Sequence, residues 1–279
     1  MKRTVNKIDY SKAMLPRTRK EQFGDCFKMN YLILLKCGLI LLLFSLPLIA
    51  FCFFMDFYYE AIMATFTSSS TPIEITRATN LFLYFLNTGI VVLSLIVIVA
   101  IGGVTHILRN FIWGEGIYFT SDFNQGVKAN TPKNLIFGFV IGLIFFASLF
   151  VMTLFNSLIV AYIPLVIFAV IFFPVYFWMI FLNNTYSSKW TGLVRNSFYF
   201  YVKTIGWSIL GILMPLSLIS LILMPIYLIW LKYVIIVLFI VFVFPIILLI
   251  MTLYTTSKFD ENINKEHYPD YYMKGLNHD

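Results

Sequence analysis

Four ionisable side chains fall close together at the end of the second apolar stretch and in the connection that follows it: His106, Arg109, Glu115 and Asp122. Arg109 and Glu115 are suited to an ion pair that docks a cytoplasmic partner or holds a surface helix. Alternatively, Arg109 anchors a helix end at the phosphate layer of a membrane while Glu115 occupies a solvated turn. A proton relay through His106 would need further ionisable groups at membrane depth, and the sequence offers none. We therefore expect these residues to hold the fold or a partner, without chemistry.

No pattern of catalytic or metal-binding residues is visible elsewhere in the sequence. It has no phosphate-binding glycine loop, no Gly-x-Ser-x-Gly elbow and no paired carboxylates at a membrane face. The three cysteines lie in or beside the first apolar stretch without a Cys-x-x-Cys pair. His267 and His278 lack the spacing of metal ligands. We predict that the protein is not an enzyme and has no catalytic residue, metal or cofactor.

The composition of the 279-residue chain is too apolar for a soluble domain. Hydrophobic residues make up 60% of it and charged residues 12%, and the mean hydropathy is +0.87. Soluble domains are about half apolar and about a quarter charged, so this chain lacks the charges to cover a water-facing surface. The net charge of +7 does not indicate nucleic acid, because the basic residues sit between apolar stretches without a base-stacking motif. The lipid bilayer is the predicted partner.

Six apolar stretches have the roughly 20 residues that a helix needs to cross the hydrocarbon core of a bilayer. They are Tyr31 to Met55, Leu81 to Leu108, Asn134 to Phe155, Leu158 to Leu182, Ile205 to Met224 and Tyr233 to Tyr254. Backbone groups in lipid must bond within their own segment, so each stretch is predicted to be helical. The predicted fold class is all-α: a polytopic membrane protein with six transmembrane helices and short amphipathic surface helices on the cytoplasmic side.

The predicted organisation has three parts. Residues 1–30 form a basic cytoplasmic tail, residues 31–255 the six-helix membrane domain, and residues 256–279 a polar cytoplasmic tail. Four acidic residues are expected to be solvated in that last tail: Asp260, Glu261, Glu266 and Asp270. Prolines interrupt the apolar stretches and predict kinked or broken helices. These are Pro47, Pro164, Pro174, Pro215, Pro225 and Pro245.

The Lys and Arg residues are distributed unevenly among the connections. Seventeen of the 20 fall in the two tails and in the second and fourth connections, whereas only Arg77 and Lys232 fall in the first and fifth. The positive-inside rule therefore places both termini in the cytoplasm, which requires an even number of spans. If the turn at Asn156 and Ser157, or the turn at residues 230–232, did not form, the count would be five and one terminus would change sides.

Two cytoplasmic connections are predicted to contain surface helices. In the second connection, Thr120 or Ser121 is expected to cap a short helix with Asp122 in its first turn. Thr131 followed by Pro132 is then expected to start a new helix, the third span. In the fourth connection, the aromatic-rich segment Trp190 to Lys203 is expected to lie along the membrane.

The second connection also carries a succession of residues that resembles the signature of the YesL family of bacterial integral membrane proteins. The succession is Gly103, Thr105, Leu108, Arg109, Gly114, Glu115, Ser121, Asp122, Phe123, Lys128 and Asn130. The hydrophobic plan of the whole chain is similar as well, although Trp113 stands where the family often has a basic residue. The resemblance implies a multi-pass protein of the bacterial cell membrane, with these positions as candidate docking or family-motif residues.

Two functions stay open on the sequence alone. YesL-family members have no settled activity and are often encoded near carbohydrate uptake systems, so the resemblance implies an accessory or atypical component of carbohydrate uptake that contacts a transport complex at the cytoplasmic face. A standard ATP-driven permease would carry a Glu-Ala-Ala loop, which we do not find. The alternative is a non-transporting membrane scaffold or sensor that docks partners or anionic lipid through its cytoplasmic connections.

Overall fold

The computed structural model describes residues 15–66, 71–154, 162–208 and 229–277. Within these ranges the chain is helical, with turns and short connections and no strand. The helices are α1 (Arg19–Thr65), α2 (Pro72–Ile112), α3 (Phe119–Leu154), α4 (Ile163–Ile167), α5 (Phe173–Thr185), α6 (Trp190–Lys203), α7 (Ile229–Leu238), α8 (Phe244–Phe259) and α9 (Lys265–His267). The all-α class predicted from the composition is confirmed.

Five of the described helical segments are long and apolar enough to cross a membrane. They are Asn30–Thr65, Pro72–Ile112, Phe119–Val151, Ile163–Thr185 and Ile229–His267. They contain the predicted first, second, third, fourth and sixth spans, apart from positions 152–155 of the third and 158–162 of the fourth. The predicted fifth span, Ile205 to Met224, lies outside the described residues except at positions 205–208, and so do Pro215 and Pro225.

Two of the predicted proline breaks take the form of wide π-helical turns. The turns Phe168–Phe172 and Phe239–Val243 join α4 to α5 and α7 to α8, and each is followed by a Phe-Pro pair. Proline lacks a backbone donor, and its ring clashes with the carbonyl four residues earlier. A locally widened turn before Pro174 and Pro245 relieves both problems without ending the helix. A third π-helical turn, Asp260–Asn264, joins α8 to α9.

The predicted division of the second connection into a surface helix and a separate span is wrong. α3 starts at Phe119 and continues through Pro132 to Leu154 as one helix. An interior proline costs a helix about 3 kcal/mol, so tertiary contacts must outweigh that cost. α3 packs along α2 more extensively than any other pair of described helices. The packing of α3 against α2 therefore outweighs the free-energy cost of the interior proline.

The two ends of α1 also depart from the predicted plan. The helix begins at Arg19, within the expected tail, and bends at Asn30, where φ is −136° and ψ is 26°. The bend falls beside Tyr31, the predicted first residue of the first span. At the far end, Asp56 accepts hydrogen bonds from Lys232 Nζ at 2.7 Å and from the Tyr233 hydroxyl at 2.8 Å. This contact fastens the start of α7 to α1.

Glycines line the contact between α2 and α3. A Cβ atom on Gly103 would meet the ring of Phe123, and one on Gly126 would meet the Cβ of His106 and lie 3.0 Å from the carbonyl oxygen of Gly102. Gly142 is similarly close to Val91, at 2.7 Å. Membrane helices associate through such small residues because lipid supplies no hydrophobic drive between them. The backbones of α2 and α3 can therefore approach directly.

The substitution Gly126→Ala tests this close packing. The added methyl group has no space between α2 and α3, so we expect a loss of about 1–3 kcal/mol in the free energy of unfolding. Unfolding in mixed detergent micelles, followed by circular dichroism, would measure it. Gly192→Ala on α6 is the matched control, because a Cβ there meets nothing within 4 Å. Equal stability of both variants would show that the two backbones are not in contact.

Candidate functional site

The ends of α2, α3 and α5 are joined by a cluster of buried asparagine side chains, which we call the asparagine network. Its members are Asn130, Asn134, Asn183 and Asn184, with exposed fractions of 3%, 2%, 8% and 3%. Asn130 and Asn134 lie one turn apart on α3, and the other two lie side by side near the end of α5. Buried amides need hydrogen-bond partners, so their positions are tightly constrained.

The asparagine network links the three helices through side chains and backbone carbonyls. Asn130 Nδ2 donates to Asn184 Oδ1 at 2.9 Å and to Gly102 O at 3.2 Å. Asn183 Nδ2 donates to Asn134 Oδ1 at 3.0 Å and to Asn130 O at 3.1 Å. Asn184 Nδ2 donates to Thr105 O at 2.9 Å. The network thus fixes the relative rotation and depth of α2, α3 and α5.

Arg109 extends the asparagine network towards the surface. Its guanidinium donates to Asn184 O and, at 2.9 Å, to Asn110 Oδ1, and it lies over the ring of Trp113 at 4.6 Å from the centroid. The ion pair between Arg109 and Glu115, one of the two interpretations of the sequence, is not formed. Glu115 instead pairs with Lys274, whose Nζ is 2.7 Å from Glu115 Oε1. Trp113 stands where the YesL family, which the motif resembles, often has a basic residue. Its ring serves as a stacking platform for the Arg109 guanidinium.

The segment Asp260–Asn277, which we call the C-terminal clasp, folds back on the ends of α1 and α2. Tyr271 stacks on Trp113 at 5.1 Å, and Lys274 lies over the same ring at 4.3 Å. Gly275 adopts φ +83° and approaches Ile112 so closely that a Cβ would overlap its carbonyl oxygen. Asn277 N donates to Pro16 O at 2.9 Å. The two terminal segments therefore meet at one end of the molecule.

Asp260 is the polar centre of the clasp, and its predicted place in a solvated tail is wrong. It is 6% exposed and accepts from Arg19 Nη2 at 2.8 Å, Asn264 Nδ2 at 2.8 Å and Met273 N at 3.1 Å. Burial lowers the pKa of the Arg19 guanidinium, although its hydrogen bond to Asp260 acts in the opposite direction. The other three acidic residues expected in the tail, Glu261, Glu266 and Asp270, are exposed.

Tyr186, which follows α5, joins the asparagine network to the clasp. Its hydroxyl donates to Asn264 Oδ1, and Asn264 in turn donates to Asp260. Burial, and then the negative charge of Asp260, raise the pKa of the Tyr186 phenol well above its ordinary value. Tyr186 therefore stays protonated and acts as a hydrogen-bond donor. The arrangement is suited to holding helices and a terminus together.

Most residues of the predicted motif hold the fold. Thr105 is fully buried, and its hydroxyl donates to Ile101 O at 2.7 Å. Gly114 adopts φ +69°, a conformation that favours glycine, just after α2. Asp122 is fully buried and accepts from Tyr118 N at 2.8 Å, which caps the start of α3. Gly103 and Phe123 pack against each other, as described above.

Ser121 and Lys128 differ from the rest of the motif because they are exposed. Both lie on the first three turns of α3, at the same end of the molecule as the asparagine network. They are the most exposed positions of the motif, so a partner could reach them without unfolding the chain. The structure thus separates the ten candidate residues into eight buried or partly buried residues and an exposed pair on α3.

The sequence reasoning missed several residues that join the helices and the clasp. Gln22 Nε2 donates to Ile112 O at 2.5 Å and to Gly275 O at 3.3 Å. The others are Asn134, Asn184, Asn264 and Tyr271. Two patterns in the sequence could have indicated the asparagine network: Asn130 and Asn134 are one helical turn apart, and Asn183 and Asn184 are adjacent. Burying an amide among apolar neighbours costs free energy unless the amide is hydrogen-bonded. No comparable pattern in the sequence indicated the C-terminal clasp.

The fold and site define a helical protein with five described helical segments long and apolar enough to span a membrane, closed at one end by a hydrogen-bonded polar network. No protein family, no curated protein and no solved structure matches the chain. Within the described ranges no three His, Cys, Asp or Glu side chains lie together in a way that could hold a metal ion.

Proposed function

We propose that the chain crosses the bacterial cell membrane six times with both termini in the cytoplasm. The contact between Arg19 and Asp260 supports an even number of crossings, because it brings the two terminal segments to the same end. Lys203 contacts Asn262 at that end, whereas Lys232 contacts Asp56. Asp56 lies about 39 Å from Asn30 along α1. The placement of these two contacts at opposite ends supports a sixth crossing between positions 203 and 232.

We propose that the protein acts as a fixed platform for a cytoplasmic partner, without catalysing a reaction. The observation that carries this proposal is the asparagine network. A transport path opening between α2, α3 and α5 would have to break the hydrogen bonds of Asn130, Asn183 and Asn184 at each cycle. Each buried polar group left unpaired costs about 1–3 kcal/mol. A platform needs no such cycle, and the network keeps its surface in one arrangement.

For the partner, we propose a carbohydrate uptake system, to which this chain is an accessory. This assignment rests on the resemblance of the motif between Gly103 and Asn130 to the YesL family. The exposed motif residues Ser121 and Lys128 supply the contact surface on α3. The alternative is a non-transporting scaffold or sensor, which would use the same rigid end to hold other partners or anionic lipid.

The test uses photocrosslinking from a benzoylphenylalanine placed at Ser121 in native membranes. We expect one protein partner in stoichiometric amount, and we expect Lys128→Glu to reduce the yield about tenfold, while Lys20→Glu, an exposed lysine on α1, leaves it unchanged. Deletion of the gene should lower the uptake of at least one labelled oligosaccharide. Unchanged uptake across a broad panel would reject the carbohydrate assignment, and crosslinks to lipid alone would reject the protein platform.

A further inference from the structure

Helix α6 has one face that is packed and one that is not. Leu193, Ser197 and Phe200 are essentially fully buried, and Phe200 stacks on Trp178 with ring centroids 5.0 Å apart. This face fixes α6 against α5 and the end of α8. The stack and the buried leucine anchor the helix, so its opposite face has a defined orientation.

The opposite face of α6 is apolar in the middle and basic at both ends. Phe198, Tyr199 and Val202 are 42%, 50% and 68% exposed and line a shallow groove with Arg195 and Lys203. The helix carries no Asp or Glu. Arg195 forms no hydrogen bond or ion pair with any other described residue. Lys203 is held by the Tyr199 hydroxyl at 3.1 Å and by Asn262.

The short connection between α5 and α6 supports a position of this face close to the lipid headgroups. Only residues 186–189 separate it from α5, the last part of Ile163–Thr185, which is one of the described segments long and apolar enough to cross a membrane. Four residues reach at most about 14 Å, and the headgroup layer on each side of the core is about 5–8 Å thick. Ile205 and Trp207, directly after α6, are also largely exposed. A cationic, aromatic helix face at this depth complements anionic lipid.

We propose that the groove between Arg195 and Lys203 binds an anionic phospholipid of the cytoplasmic leaflet. The guanidinium of Arg195 donates to the phosphate, Lys203 adds a second positive charge, and Phe198 and Val202 contact the glycerol backbone and the start of the acyl chains. This inference shares the membrane placement of the proposed function but needs no protein partner. A phospholipid and free inorganic phosphate would both present a phosphate group to Arg195 and Lys203. Only the phospholipid would also contact the apolar side chains of Phe198 and Val202.

The test is native mass spectrometry of the full-length protein in detergent, titrated with phosphatidylglycerol or phosphatidylcholine. We expect phosphatidylglycerol to bind at least tenfold more tightly at the first site. Arg195→Gln and Lys203→Gln should each weaken that binding about fivefold, which corresponds to the ~1 kcal/mol that a basic residue contributes near an anionic surface. Lys265→Gln, an exposed lysine of α9, is the matched control and should change nothing.

Two further measurements decide the remaining outcomes. Val202→Ser should weaken phosphatidylglycerol binding while leaving any binding of inorganic phosphate unchanged. If phosphate at millimolar concentration competes fully, or if Arg195→Gln matches the control, the phospholipid site is rejected. A photocrosslink from position 198 to a protein in native membranes would also reject the phospholipid site. Loss of the crosslink from Ser121 would bear only on the proposed platform for a protein partner.

Discussion

Replacing Asn184 with leucine is expected to lower the free energy of unfolding by about 2–3 kcal/mol, because the side chain serves both α2 and α3. It donates to Thr105 O and accepts from Asn130 Nδ2, each at 2.9 Å. Leucine leaves the carbonyl of Thr105 buried without that donor and removes one bond of Asn130. Unfolding of the purified protein in mixed detergent micelles, followed by circular dichroism, measures the loss.

The control for this prediction is Asn124→Leu, the same change at an exposed position of α3. Surface substitutions of this kind usually fall within about 0.5 kcal/mol of the parent protein. If Asn184→Leu were as stable as Asn124→Leu, the asparagine network would contribute no specific stability. The argument that it keeps α2, α3 and α5 in one arrangement would then fail.

Replacing Asp260 with leucine is expected to cost about 3–5 kcal/mol and to release the C-terminal clasp. The substitution leaves the largely buried Arg19 guanidinium without its carboxylate and also removes the acceptor of Met273 N. Breaking a buried ion pair from one side is strongly destabilising because it leaves an uncompensated charge. We expect trypsin to cleave at Lys265 and Lys274 at least tenfold faster, which mass spectrometry of a timed digest would detect.

Two variants separate the buried pair from a general effect of lost charge. Arg19→Met combined with Asp260→Leu should recover much of the lost stability, because no isolated charge is left in the clasp. Glu261→Leu breaks the exposed pair of Lys258 and Glu261 and should cost less than about 1 kcal/mol. Digestion of Asp260→Leu at the same rate as Glu261→Leu would contradict the packed clasp.

The sequence was sufficient to predict the helices that depend on apolar length. Lipid-facing segments must be helical, so the apolar stretches predicted the all-α class and the approximate positions of the five described helical segments that are long and apolar enough to span a membrane. Helix α6 also coincides with the aromatic-rich segment Trp190 to Lys203 that was expected to form a surface helix. These features follow from local sequence.

The predictions that were wrong concern features that depend on contacts between distant parts of the chain. Asp260 looked like a tail residue because its partner Arg19 is 241 positions away. Pro132 looked like a helix start because no local signal reveals the packing of α3 on α2. The choice of Lys274 over Arg109 as the partner of Glu115 likewise depends on the return of the clasp. Which of the candidate motif residues are buried and which are exposed also required the structure.

Thiol accessibility in intact cells tests the membrane placement of the protein most directly. Single cysteines would be introduced as Glu60→Cys, Lys20→Cys and Lys265→Cys in a chain whose own three cysteines are replaced by alanine. We predict that a membrane-impermeant maleimide labels Glu60→Cys in intact cells and labels the other two only after the membrane is opened. Labelling of Lys20→Cys or Lys265→Cys from outside, with Glu60→Cys protected, would contradict the proposed topology.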